Sequence, residues 1–383
     1  MIKCGIIGAG YISASHVEAV RRLGNVETAA IADVNTELAA KKANEFHIPK
    51  FYGNVDDLLA DSDIQVIHNC TPNNLHYEIN EKTIKAGKHL ISEKPLAKNS
   101  VQTKKLLETI KKYPGIVTAV NYNYRMNPLV QEMKARVLNG EIGKPKFVHG
   151  SYLQDWLLYE TDYSWRMDPE ISGLSNCVAD IGSHWMDMAQ YVTNAKITEV
   201  CADLVITRPI RKKPKKQVEA FAINNDVEYD DVEIVTEDYG SVLFKMDNGT
   251  HGVYLVSQVS AGRKCYFNFE VNGDAASFYW NQENADQMWM GFRDKPNQLI
   301  MRNPNLMPDN VKKYTYLAAG HPEGWNDAFT NNIKAFYNHI TKEKSPQERA
   351  CDFATFQEAH YIMLLVEAIL ESNKTKGWVK INV

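Results

Sequence analysis

The sequence predicts an α/β chain whose first third folds as a doubly wound parallel sheet and whose remainder carries a second, antiparallel or mixed sheet. Three observations carry this. Short apolar runs alternate with helical periodicity up to about residue 125, and right-handed crossovers turn such alternation into parallel strands with helices on both faces. A glycine-rich turn, GIIGAGYIS, follows the first apolar run and opens the first helical pattern. Beyond residue 125 the texture changes to β-rich stretches joined by Asn-Gly turns.

The elements follow in order. KCGIIG is a buried strand, YISASHVEAVRRLG is helical in period and stops at Gly24, and ETAAIAD is a second apolar run closing on an acid, which together make one βαβ unit. The alternation continues through IQVIHNCTP, NLHYEINEKTIKAGK, HLISEKP, NSVQTKKLLETIKKYPG and GIVTAVNYN. Helical patterns then appear at PLVQEMKARVLNGEIG and ADIGSHWMDMAQYVT. The later stretches EVCADLVITR, DYGSVLFKMDNGTHGVYLVSQVS and CYFNFEVNGDAASFYW read as strands, with DNGT and NGDA as tight hairpin turns. A length of 383 residues is long for one core and comfortable for two domains.

Composition narrows the class of function. Hydrophobic residues make up 44% and charged residues 23%, an ordinary globular balance. A net charge of -4 gives no electrostatic case for nucleic acid or an anionic membrane. The six cysteines lie far apart without a C-x-x-C pair, against both a zinc site and a disulfide framework. The opening MIKCGIIGAG is a strand and turn, not a signal peptide or membrane span, so a cytoplasmic enzyme or binding protein is expected. The one basic run, TRPIRKKPKKQ at 207–217, reads as a solvated hairpin loop, with an inter-subunit contact or an anionic substrate group as alternatives.

The glycine turn sits where a dinucleotide fingerprint belongs. Gly8 permits the tight turn and Gly10 lets a pyrophosphate approach the helix N-terminus, with Tyr11 and Ile12 beside it. Ser13 replaces the third glycine and is small enough for helix and strand to pack. Asp33 ends the second strand about 20 residues on, where an acid accepts hydrogen bonds from a ribose. With Val34 and Asn35 next and no arginine to pair a phosphate, NAD is favoured over NADP. Thr71, Pro72 and Asn73 fall at the carboxyl edge of the sheet, where ligands of such folds bind; a Pro-Asn turn with Asn74 capping the next helix is compatible with that. Lys94 reaches the same edge, held extended by the proline after it, and a salt bridge to Glu93 is its structural alternative. In NCVADIGSHWMDM, Asp180 and His184 stand four apart, on one face if the segment is α-helical, so the acid could orient His184 as a general base.

These motifs together resemble the Gfo/Idh/MocA oxidoreductase family, whose members include glucose-fructose oxidoreductase and inositol dehydrogenase. GIIGAGYIS, CTPNNLH, SEKPLA, NYNYRMNP and DIGSHWMD occur in the family's order, nearly from end to end. The departures are Ser13 and SGLSNCVADIG, where many members carry a run of glycines. The resemblance implies a Rossmann domain at 1–124, binding NAD, and a substrate-binding and oligomerisation domain at 125–383. The latter would hold an open, mostly antiparallel sheet and form a homodimer or homotetramer.

Carried over residue by residue, the resemblance implies a catalytic group of Lys94, Asp180 and His184. It adds His76, Glu93, Asn123 and Arg125 to the cofactor site and makes Trp165 and Arg166 cofactor or substrate contacts. Tyr152, Asp155 and Trp156 suit a carbohydrate, though they would serve a core equally, and His321 either reaches the sugar or is a plain turn residue. No metal is expected. The implied activity is hydride transfer between NAD and a secondary hydroxyl of a sugar, glycoside or cyclic polyol. An NAD-dependent glycosidase working by transient C3 oxidation and elimination, or a non-catalytic NAD-binding sensor, would use the same fold.

Overall fold

The computed structural model describes residues 1–215, 228–341 and 351–382. They form two compact units, Met1–Met126 with Asn326–Met363, and Asn127–Trp325 with Leu364–Val383. The first unit thus runs to Met126, against the expected division at residue 124, and residues 326–363 return to it.

The first unit is built from β1 (Ile2–Ile7), α1 (Tyr11–Arg21), β2 (Val26–Ala32), α2 (Thr36–Glu45), β3 (Lys50–Tyr52), α3 (Val55–Ala60), β4 (Val66–Asn69), α4 (Asn73–Lys85), β5 (His89–Ser92), α5 (Ser100–Ile110) and β6 (Thr118–Val120). The strands run parallel in the order β3-β2-β1-β4-β5-β6. Ile6, Ile31, Ile67 and Ile91 are fully buried, which is why the inner strands read as continuous apolar runs: both sheet faces are covered.

The helix starts position the site. Asn35, Asn54 and Asn99 cap α2, α3 and α5 by accepting from the backbone N–H groups of Leu38, Asp57 and Gln102. By contrast, α1 and α4 begin after Gly10 and Pro72 with no capping side chain, so the expected cap by Asn74 is not formed. These two helices follow β1 and β4, the adjacent strands at which the sheet order reverses. Open helix N-termini thus stand at the switch point where α/β folds bind ligands.

The second unit holds α6 (Pro128–Leu138), β7 (Pro145–Leu153), α7 (Pro169–Ser172), α8 (Ser183–Thr193), β8 (Ile197–Val205), β9 (Ile210–Pro214), β10 (Tyr229–Glu233), β11 (Tyr239–Met246), β12 (His251–Ser257), β13 (Tyr266–Gly273), β14 (Ser277–Asn281), β15 (Gln287–Gly291), β16 (Gln298–Met301) and β17 (Val379–Lys380). Nine strands make one sheet, β16-β15-β14-β13-β7-β12-β11-β8-β17, antiparallel except for the parallel β7–β12 pair. DNGT and NGDA form the β11–β12 and β13–β14 turns as expected. Burial alternates along the strands, and α8 covers the inner face, where Trp185 stacks on Tyr254 at 4.7 Å between centroids.

The basic run is a hairpin strand rather than a loop in its described part, and Lys216 and Gln217 lie outside the described residues. β9 pairs with acidic β10, bringing Lys212 to 3.6 Å from Asp231, while Arg211 is fully buried against Asp238 at 2.9 Å.

Candidate active site

In the first unit the glycine turn is dictated by space and by backbone geometry. Gly8 has φ +97°, and a Cβ there would stand 2.8 Å from the Cys70 carbonyl carbon and oxygen; any side chain would push the β1 turn off the end of β4. A Cβ on Gly10 would meet nothing within 4 Å, so backbone N–H groups at the start of α1 are open to approach. Ser13 is fully buried, and its hydroxyl donates to the Gly10 carbonyl at 2.6 Å. That bond explains how a serine fits at the third glycine position without leaving a buried hydroxyl unpaired. Tyr11 is exposed and Ile12 is packed on the local core.

Asp33 accepts the Ala9 N–H on Oδ2 and the Asn35 N–H on Oδ1, each at 2.9 Å. The carboxylate is thereby fixed across the mouth of the turn, half-exposed, with exposed Val34 beside it. Thr71 donates its hydroxyl proton to Asn69 Oδ1 at 2.7 Å, Pro72 is exposed and Asn73 is buried at the start of α4. His76 is turned inward, with Nδ1 2.7 Å from the Pro95 carbonyl oxygen and Nε2 2.7 Å from that of Thr71. It braces the two loops that carry Thr71 and Lys94.

Glu93 is buried and Lys94 half-buried at the end of β5. Glu93 Oε1 accepts from Asn121 Nδ2 at 2.6 Å and lies 2.9 Å from His16 Nε2. Burial would raise the Glu93 carboxyl, yet His16, Asn121 and the charge of Lys94 bring it down to about 2. Arg125 is buried, both terminal nitrogens 3.3 Å from Glu358 Oε1. Asn123 is 2% exposed, and its Nδ2 has no hydrogen-bond acceptor among the described residues. The open N-terminus, the space at Gly10 and this buried amide donor fit a dinucleotide.

In the second unit, Asp180 and His184 do not share a plain α-helix. Val178–Gly182 is a π turn in which the Ser183 N–H reaches the Val178 carbonyl, five residues back. The simple four-residue α-helical register between the pair is corrected accordingly. Asp180 accepts from Arg166 Nε on Oδ1 at 3.3 Å and from Gln258 Nε2 on Oδ2 at 3.0 Å. The Arg166 guanidinium lies 4.5 Å from the Trp165 ring and 5.9 Å from that of Trp156, so Asp180, Arg166 and both tryptophans form one cluster.

His184 is 6% exposed, with its ring centroid 6.4 Å from that of Tyr152. Tyr152 stacks on Phe267 at 5.2 Å. Asp155 is tied to Lys264 at 2.7 Å and to the Gly262 N–H. His321 stands exposed on a turn, its carbonyl held by Arg302.

Sequence reasoning missed Gln258, which orients Asp180, and Glu237, which accepts from Ser175 Oγ and the Val178 N–H to hold the π turn. It also missed His16, whose only signal was a histidine on the buried side of the first helix.

Comparisons with known proteins agree with the fold. Residues 2–122 match the description of an oxidoreductase family with an NAD-binding Rossmann fold, and residues 130–279 match the GFO/IDH/MocA C-terminal domain. Levoglucosan dehydrogenase of Pseudarthrobacter phenanthrenivorans is 28% identical over 99% of this chain and 98% of its own. Glucose-6-phosphate 3-dehydrogenase of Bacillus subtilis is 25% identical over 74% of this chain and 75% of its own. A solved levoglucosan dehydrogenase in complex with NADH and levoglucosan superposes with a TM-score of 0.88 at 26% identity, covering 100% of both chains. The chain belongs to the GFO/IDH/MocA family of oxidoreductases, with NAD as the cofactor of its Rossmann domain.

Proposed function

We propose that the protein oxidises a secondary hydroxyl of a sugar, glycoside or cyclic polyol, or reduces the corresponding ketone, and prefers NAD to NADP. The observation that carries this is the first unit's sheet edge, where the uncapped start of α1, the fixed carboxylate of Asp33 and Lys94 occur together. The relatives named above, a levoglucosan and a glucose-6-phosphate dehydrogenase, support a carbohydrate substrate.

Bound NAD supplies the hydride acceptor. Gly8, Gly10 and the first N–H groups of α1 would hold its pyrophosphate, and Asp33 would accept from its ribose hydroxyls. An alcohol that loses hydride must also lose its hydroxyl proton. His184 accepts that proton, Lys94 hydrogen-bonds the developing alkoxide, and Asp180 tunes the pair while Arg166 and Gln258 hold it in place. Trp156 and Trp165 offer flat faces to a sugar ring. All six cysteines are free thiols, which suits a reducing cytoplasm.

Screening sugars, inositols and glycosides for NADH formation tests the reading. Free sugar released without net NADH would point instead to elimination chemistry. With a substrate in hand, Lys94→Ala should still bind NAD and lose single-turnover hydride transfer by roughly a hundredfold or more. His184→Ala should fall as well, and the double variant should fall far less than the product of the two, because both act on one proton-transfer step. A near-parental rate in Lys94→Ala would refute the assignment.

A further inference from the structure

Behind Glu93 lies a line of buried side chains that no cofactor or substrate role accounts for. His16 Nε2 is 2.9 Å from Glu93 Oε1, His16 Nδ1 is 2.8 Å from His68 Nδ1, and His68 Nε2 is 2.8 Å from the Tyr337 hydroxyl. His16 and His68 are fully buried and Tyr337 is 1% exposed. Phe329 meets the His16 ring edge-on at 4.9 Å, which limits its rotation.

The proton positions follow from what each atom can do. A carboxylate only accepts, so His16 Nε2 carries a hydrogen. One hydrogen is shared between His16 Nδ1 and His68 Nδ1, and another between His68 Nε2 and the Tyr337 hydroxyl, so the four side chains form one continuous hydrogen-bonded line ending on Glu93, in which each bond polarises the next.

The surrounding groups leave the charge on Glu93. Burial, with His16 next to it, holds His68 well below its ordinary value, so the ring is neutral. Burial raises the Cys70 thiol and lowers His76. Lys94 is the cation in this surrounding, and its own N–H donates to Glu93 Oε2 at 3.3 Å.

We infer that His16 is a positioning residue: backed by His68 and Tyr337, it keeps Glu93 a carboxylate and clamps it against the Lys94 peptide, fixing the strand end that presents the lysine. The consequence for turnover rests on the reading of Lys94 as catalytic. The clamp itself does not.

The test uses His16→Phe, which fills the space but donates nothing, His16→Gln, which can still donate, and Tyr337→Phe, which removes the far end of the line. Infrared titration of the intact protein, with Glu93→Gln assigning the band, reads the protonated carboxyl of Glu93 without turnover. His16→Phe should bring that band in at higher pH than in the parent. It should also lower kcat by roughly tenfold or more and add an acid limb to its pH profile, while KM for NAD moves by less than about threefold. His16→Gln should recover most of both, and Tyr337→Phe should shift the band in the same direction by less.

A folded His16→Phe protein with the parental band and pH profile would overturn the inference. If His16→Phe does not fold, an unshifted band in Tyr337→Phe overturns it equally. A shifted band alongside full turnover in Lys94→Ala would support the clamp on Glu93 and refute the catalytic reading.

Discussion

At the scale of single residues, the proposed preference for NAD over NADP rests on Asp33. Its carboxylate is pinned by the Ala9 and Asn35 N–H groups, so it cannot swing away from an incoming phosphate, and its remaining lone pairs are the natural acceptors for two ribose hydroxyls. NADH should therefore bind more tightly than NADPH. Replacing Asp33 with Ser should narrow the gap by roughly tenfold or more, about 1.4 kcal/mol, and titrating both cofactors against both proteins checks it. Tighter NADPH binding by the parent would reverse the assignment. Asp33, Gly8 and Lys94 could be singled out from sequence because strand-end position and turn geometry restrict which residues can stand there. His16 and Gln258 could not. Their partners Glu93 and Asp180 lie 77 and 78 positions away, and such pairing leaves no local pattern.

At the scale of elements, the π turn before α8 shows what periodicity could not supply. Five residues with helical spacing read as α-helix, and the wider turn is imposed from outside by Glu237, a buried carboxyl from the segment before β11. Glu237→Ala should cost about 1–3 kcal/mol, because Ser175 Oγ and the Val178 N–H lose a buried acceptor. The isostere tests the charge. Burial raises the Glu237 carboxyl above its ordinary range, so the folded value exceeds the unfolded one. Stability is then fullest below the unfolded value of about 4.3 and declines as pH rises towards the folded value. Glu237→Gln keeps an acceptor oxygen and cannot ionise. Its melting temperature relative to the parent should therefore improve as pH rises from about 4 towards neutral. A difference that stays flat or falls over that range would show that Glu237 is not held at a raised value.

At the scale of the whole molecule, the alternation of runs and helices was enough to read the parallel sheet, because each βαβ crossover is local. The return of residues 326–363 to the first unit had no such signal: the helix Trp325–Ile340 is amphipathic like many others, and its partners His16, His68 and Asn121 lie far upstream. The nine-stranded sheet carries a further consequence. Its strand registers align Leu299, Trp289, Tyr279, Glu270, His149, Val253 and Leu243 in one row across the face opposite the buried core. Leu243 is 47% and Leu299 59% exposed, and Glu270, the row's one carboxylate, lies 3.5 Å from His149 Nε2. A face this broad and this apolar is rarely left to water, and a two-fold axis lets one such face cover its own copy. A homodimer through this sheet, or a tetramer built from it, is therefore the expected assembly. Light scattering at micromolar concentration should report it. Leu243→Glu with Val253→Lys, which places charge at the apolar end of the row without touching the buried face, should shift the mass towards the monomer while the fold persists by circular dichroism. A stable monomer in the parent, or an assembly indifferent to both substitutions, would place the contact elsewhere.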